Sequence, residues 1–336
     1  MGLLIDGMWR DQWYDTGGDG TFKRQDAGFR DWVTADGGDG PNGATGVKAE
    51  ADRFHLYVSL ACPWAHRTLI TRALKGIEDL LPVTVVHWRM RENGWEIGAA
   101  LDEFGAATDD PVNGFRYAHQ LYTLARPDYT GRVTVPIVWD KRESRIVSNE
   151  SSEIIRMLDS AFDELGARKD VRLSPPELMD EIEAVNAPIY DAVNNGVYKA
   201  GFATKQDAYE DAFDALFAEL DRLEERLSKS RWLVGNRFTE ADVRLFTTLI
   251  RFDAVYHGHF KCNRNRIADF EALGAYTRDI YQHPAIRETV NLKHIKHHYY
   301  GSHDSVNPTL IVPKGPAQDL DAPHGREGLG PAIPGR

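Results

Sequence analysis

Residues 59–70, SLACPWAHRTLI, hold one of the two cysteines in the chain, and Cys62 is the side chain best placed to do chemistry. A thiol of ordinary pKa, about 8.5, is mostly protonated at neutral pH, and only its thiolate is a strong nucleophile. Pro63 suits the first position of a helix, where its missing N–H costs nothing. A helix start offers N–H donors and partial positive charge to an anion at the position before it, which is where Cys62 stands. His66 and Arg67 bring further positive charge close by. The competing reading is a buried, inert cysteine that packs as a small hydrophobe.

Ala65 separates two chemistries. A Cys-x-x-Cys pair resolves its own mixed disulfide, but the third residue after Cys62 is alanine. Unless Cys262 folds beside it, a lone thiolate must hand its mixed disulfide to an external thiol. In a reducing compartment the abundant one is glutathione. Two later segments supply parts for a glutathione site. VTVPI resembles the segment before a cis-proline in thioredoxin-like folds, where the backbone of the preceding residue, here Val135 before Pro136, pairs with a bound peptide. SNESSEI sets Glu150 and Ser151 at a helix start, where an N–H and a hydroxyl suit the γ-glutamyl carboxylate and Glu150 suits the amino group. Plain helix capping would use the same residue types.

The elements that must carry these residues are legible in outline. RFHLYVSL (53–60) reads as a strand, CPWAHRTLITRALKG as a helix stopped by Gly76, and LPVTVVHWRM as a second strand, a β–α–β unit with parallel pairing. An irregular stretch is expected from about 91 to 128. RVTVPIVWD then reads as a strand and SRIVSNESSEIIRMLDSAF as a strand turning into a helix. Pro136 would remove a ladder donor, so it is expected at an edge or a special backbone site. This order is that of a thioredoxin-like α/β domain over 51–165. Residues 1–50, rich in Gly and Asp, read as an extended arm packing through Trp9, Trp13, Phe29 and Trp32. An all-α domain is expected over 166–314. Its signals are the stripe Tyr209, Phe213, Leu216, Phe217, Leu220, Leu223 and Leu227, and a capping-box-like start at Thr239 and Asp242. The Pro/Gly-rich tail 315–336 is expected to wrap loosely.

Composition bounds the rest. At 336 residues the chain has room for two cores, and its formal charge of −11 argues against non-specific binding to nucleic acid or an anionic membrane. No apolar run approaches the roughly 20 residues that span a bilayer, and the N-terminus lacks the features of a signal peptide. Two distant cysteines are no disulfide framework, so a cytoplasmic location is expected. His257, His259 and Cys262, and likewise His294, His297 and His298, lack the spacing of an established zinc site, and no metal is expected.

Taken in order, ACPWAHRT, TVPIVWD, SNESSEII and FTEADVRLF resemble glutathione transferases, an α/β thioredoxin-like N-terminal domain followed by an all-α C-terminal domain. More narrowly, YVSLACPWAHRTLI, NGWEI, RVTVPIVWD, NNGVYKAGFA, RFDAVYHGHFKCN and IKHHYYGSH resemble the glutathionyl-hydroquinone reductases, the Xi class, over about residues 20–325. The resemblance implies glutathione as co-substrate, a homodimer, and removal of glutathione from a glutathionyl-hydroquinone. It implies Cys62 as nucleophile, Trp95 over the bound tripeptide, Val135 on its cysteinyl backbone, and Glu150 with Ser151 at its γ-glutamyl end. Arg132 would meet a glutathione carboxylate. Tyr198 and Tyr299 or Tyr300 would line the hydroquinone site and donate O–H groups to the ring oxygens. An omega-like thioltransferase or dehydroascorbate reductase would need the same cysteine without the tyrosines. A non-catalytic glutathione-binding module would carry an unreactive thiol.

Overall fold

In the computed structural model, which describes residues 2–13 and 18–335, the arm is built from short paired strands rather than a plain extension. β1 (Leu3–Ile5) and β2 (Met8–Arg10) form a hairpin, and β3 (Trp32–Thr34) pairs in parallel with β4 (Gly46–Lys48). Of the four aromatic residues expected to pack, Phe29 is buried, while Trp9, Trp13 and Trp32 are half-buried.

The chain separates into two compact units that interleave in sequence. The first gathers Met1–Trp13, Arg24–Val171 and Lys293–His298; the second gathers Tyr14–Lys23, Arg172–Leu292 and Tyr299–Arg336. The boundaries read from sequence at 50, 165 and 314 follow chain order instead.

In the first unit, β5 (Phe54–Val58) leads into α1 (Pro63–Lys75) and β6 (Val83–Val85). A two-residue-strand hairpin follows, β7 (Met90–Arg91) with β8 (Gly94–Trp95). Within the stretch expected to be irregular lies a helix, α2 (Ala118–Ala125). It is short and has no acidic or hydroxyl cap in sequence; Gln120 Oε1 closes its start by accepting the Arg116 and Tyr117 N–H groups. Then come β9 (Gly131–Arg132), which pairs with β1, and β10 (Ile137–Asp140), β11 (Arg145–Ser148) and α3 (Ser151–Ser160).

The main sheet has the order β11-β10-β5-β6, with β5 and β6 parallel and β10 antiparallel to both its neighbours. Every residue of β5 and β10 is buried, as a strand covered on both faces requires. Pro136 precedes the first ladder residue of β10, and the Val135–Pro136 bond is cis, so the central strand loses no donor. At the far end of the sheet Arg53 Nη2 donates to Asp140 Oδ2 at 2.7 Å, satisfying a fully buried carboxylate.

The second unit is helical: α4 (Met179–Pro188), a π-helical turn at Ile189–Asn194, α5 (Gly196–Gly201), α6 (Gln206–Lys229) and α7 (Glu240–Arg251). A second π-helical turn at Phe252–Tyr256 leads to α8 (His257–His259), α9 (Glu271–Tyr281), α10 (Pro284–Arg287) and α11 (Leu292–Ser302). The α6 stripe buries Leu216, Phe217, Leu220, Leu223 and Leu227, while Tyr209 and Phe213 at its start are half-buried. Thr239 and Asp242 form a reciprocal capping box, and Asp242 Oδ1 also accepts the Leu233 N–H and the Tyr276 hydroxyl. The tail is pinned rather than loose. The buried Arg326 donates to the carbonyls of Leu227, Ser230 and Arg231, and Gln282 donates to those of Leu320 and Ala322.

Candidate active site

Cys62 is the N-cap residue of α1 and is half-buried. Ser59 shapes the turn before it: its carbonyl accepts the Cys62 N–H at 3.2 Å and its hydroxyl accepts the Ala61 N–H at 3.2 Å. Pro63 brings no N–H, so the first N–H groups of the helix belong to Trp64 and Ala65, and helical geometry aims them back at the cap. The Sγ lies 3.4 Å from the Val135 carbonyl oxygen, to which the neutral thiol donates. The thiol therefore sits directly against the cis-proline segment. Arg67 and Arg24 set guanidinium groups 4.4 and 4.7 Å from the ring centroid of Trp64, adding cationic charge two residues from the sulfur.

The second cysteine belongs to the other unit. Cys262 is fully buried in the helical unit with its S–H toward the Phe260 carbonyl, and burial in apolar surroundings pushes its thiol well above the ordinary range. Neither cysteine is in a disulfide.

The segment carrying Val135 is held by a residue that the sequence reading left unassigned. The Tyr122 hydroxyl, on α2, donates to the Thr134 carbonyl at 2.8 Å and accepts the Thr134 N–H at 3.1 Å. Asn149 Nδ2 donates to the same hydroxyl at 3.0 Å, and the Asn149 side-chain oxygen accepts the Phe29 N–H. One buried phenol thus ties α2, the cis-proline segment, the start of α3 and the arm. Desolvation raises its pKa, so it remains a neutral donor. Tyr122→Phe strands buried donors at Thr134 and Asn149, and is expected to lower stability by about 2 kcal/mol in urea unfolding. It is also expected to raise the KM for glutathione. No sequence periodicity marks Tyr122, because its partners lie far along the chain.

Glu150 is the N-cap of α3. Its Oε1 accepts both the Ser152 N–H at 2.9 Å and the Ser152 hydroxyl at 2.8 Å, so it performs the capping role. Ser151 is buried, and its Oγ accepts from Arg67 Nη1 at 3.4 Å, which links the two helix starts. Arg132 is committed to the arm: its guanidinium donates to the carbonyls of Gln12 at 2.5 Å and Trp13 at 2.7 Å.

Trp95 lies on the β7–β8 hairpin and is 5% exposed. The hairpin turns at Gly94, whose φ of 73° favours glycine; a Cβ there would stand 2.7 Å from the Trp9 ring. Trp9 Nε1 donates to the Glu92 carbonyl at 2.7 Å, so the arm fixes the loop that presents Trp95.

In the helical unit three phenols converge. Tyr198 and Tyr299 share a hydroxyl–hydroxyl bond of 2.5 Å, and Tyr256 reaches Tyr299 at 3.0 Å. Gly201 permits this packing, since a Cβ there would overlap the Phe260 ring at 2.1 Å. Burial drives the Tyr299 pKa far up, so its hydroxyl is a neutral donor. Tyr300 is set apart, its ring 4.7 Å from that of His259. Tyr256 was not among the residues singled out from sequence; it lies in a π-helical turn, where the 3.6-residue period fails.

Neither histidine set gathers as a cation site. Of the described residues only His87, Asp102 and Glu103 bring three donor atoms within 4.8 Å of one another. The Asp102 oxygens already accept from the N–H groups of Phe104, Ala106 and Ala107 and from His294.

The profile of the glutathione S-transferase N-terminal domain matches residues 61–161, and that of the C-terminal domain matches residues 206–279. The chain is 56% identical over 328 residues to glutathionyl-hydroquinone reductase YqjG of Escherichia coli, spanning 97% of this chain and 99% of that relative. It is 54% identical over 321 residues to glutathionyl-hydroquinone reductase PcpF of Sphingobium chlorophenolicum, spanning 95% and 98%. The solved glutathione-bound structure of Escherichia coli YqjG matches with a TM-score of 0.88 at 53% identity, covering 97% of this chain and 99% of that one.

Proposed function

The chain belongs to the glutathionyl-hydroquinone reductases of the glutathione transferase family, and on that premise we propose how its own residues carry the reaction. The enzyme removes glutathione from glutathionyl-hydroquinones and uses a second glutathione as co-substrate. The Cys62 thiolate attacks the sulfur of the aryl thioether. The sulfur–carbon bond breaks, its electron pair stays on the ring carbon, and that carbon takes a proton. Hydroquinone leaves and Cys62 holds glutathione as a mixed disulfide. A second glutathione thiolate attacks that disulfide, giving oxidised glutathione and restoring Cys62. One glutathione thiol and the former thioether sulfur end as a disulfide while the aryl C–S bond becomes C–H, so atoms and electrons balance.

The observation that carries this reading is a monothiol at a helix start against Val135, with Ala65 where a resolving cysteine would stand and Cys262 buried. Val135 pairs with the cysteinyl backbone of glutathione, Glu150 and Ser151 take its γ-glutamyl end, and Trp95 covers it. Arg132 contributes mainly by holding the arm, and meets a glutathione carboxylate only alongside its bonds to Gln12 and Trp13. Tyr198 and Tyr299 donate to the ring oxygens and stabilise the enolate as the ring carbon departs from sulfur in its keto form. Tyr299 takes this part rather than Tyr300, because its hydroxyl is the one joined to Tyr198. Dependence on a second glutathione fits a reducing, cytoplasmic location, and we expect a homodimer, as read from the family resemblance. Among the described residues no helix is long and apolar enough to cross a membrane.

Incubation with a glutathionyl-hydroquinone and glutathione, with products separated chromatographically, is expected to give hydroquinone and oxidised glutathione in equal amounts. Efficient reduction of glutathione mixed disulfides without release of hydroquinone would favour the thioltransferase reading instead.

A further inference from the structure

We propose that His298 is a positioning residue for glutathione, acting through the indole of Trp95. This rests on the reading of Trp95 as the cover of the tripeptide. The His298 ring stacks on Trp95 with centroids 4.9 Å apart and planes 24° from parallel. Its Nδ1 is 2.8 Å from the Trp88 carbonyl oxygen; a carbonyl only accepts, so Nδ1 carries the proton. Trp88 lies just before the β7–β8 hairpin and Trp95 is its last residue, so one imidazole holds both of its ends, by a hydrogen bond on one side and a stack on the other.

The helix bearing His298 is itself anchored. His294 lies one turn earlier on the same face of α11, and its Nε2 is 2.8 Å from Asp102 Oδ2. Asp102 in turn organises the loop after it through the N–H groups of Phe104, Ala106 and Ala107. Trp9 supports the other side of the hairpin at Gly94 and Glu92. Trp95 therefore stands between an arm contact and a histidine contact, both far from it in sequence, and its ring plane is set by His298.

The test measures glutathione affinity by calorimetry in a Cys62→Ser background, where no disulfide forms. His298→Ala is expected to weaken binding about 5- to 10-fold, the worth of one aromatic stack and one hydrogen bond. His298→Phe, which restores a ring, is expected to recover most of the loss. Trp95→Ala is expected to weaken binding at least as much, and the His298→Ala/Trp95→Ala double variant no further. With Cys62 intact, His298→Ala is expected to raise the KM for glutathione while kcat is retained; a purely structural role would lower the apparent kcat with the folded fraction and leave KM unchanged. Additive losses in the double variant would overturn the proposal, as would unchanged affinity in His298→Ala beside a weakened Trp95→Ala. Unchanged affinity in Trp95→Ala would instead overturn the reading of Trp95 itself. If His298→Ala does not fold, His298→Gln, which keeps a donor without a ring, carries the same comparison.

Discussion

Cys62→Ser is expected to lower turnover of a glutathionyl-hydroquinone by roughly 10^3-fold or more, with the fold intact by circular dichroism. The size follows from the chemistry. A serine hydroxyl at the same position receives the same helix N-terminus, but an alkoxide is far harder to form than a thiolate, and oxygen cannot enter the disulfide that the second glutathione resolves. Because Ala65 stands at the resolving position and Cys262 is buried in the helical unit, no other thiol takes over. The loss should therefore appear in kcat and persist at saturating glutathione. The measurement is steady-state release of hydroquinone, with glutathione affinity checked separately. Residual turnover within tenfold of wild type would mean that Cys62 is not the nucleophile.

Tyr299→Phe and Tyr198→Phe are expected to divide the two half-reactions. Removing one donor from a developing oxyanion typically costs about 10²–10³-fold in kcat. Both phenols here are buried, and burial keeps that of Tyr299 neutral. Tyr299 should show the larger effect, since its hydroxyl bonds both Tyr198 and Tyr256 and its loss disorganises all three. Reduction of a glutathione mixed disulfide has a sulfur anion as leaving group and no ring to protonate, so the same variants should retain it nearly in full. Paired assays on a glutathionyl-hydroquinone and on a small glutathione mixed disulfide measure the split. Equal loss on both substrates would assign the tyrosines to packing, and no loss on either would remove them from the reaction.

What the sequence disclosed follows the range of the interactions concerned. The helix from Pro63 to Gly76 and the capping box of Thr239 and Asp242 are local devices, each complete within a few residues, and both form as their residue types dictate. Pro136 was recognisable as a special position because a central strand cannot spare a donor. The helix at Ala118–Ala125 escaped notice because eight residues give barely two turns of periodicity and its cap is the side chain of Gln120. Tyr122, which anchors Thr134, and His298, which stacks on Trp95, act across sequence separations of 12 and 203 residues and leave no local signature. Tyr256 was hidden by the π-helical turn that carries it. The tail gave only its Pro/Gly content, and its order depends on carbonyls gathered around Arg326 from two segments, residues 227–231 and Ala272.

The most direct test is a single turnover read by intact mass. Wild-type enzyme is mixed with an equimolar glutathionyl-hydroquinone in the absence of free glutathione. The account predicts one hydroquinone released per chain, a mass gain of one glutathionyl group located on the peptide that holds Cys62, and return to the starting mass when glutathione is added. Hydroquinone released while Cys62 remains unmodified, or a glutathionyl group found on Cys262, would contradict it.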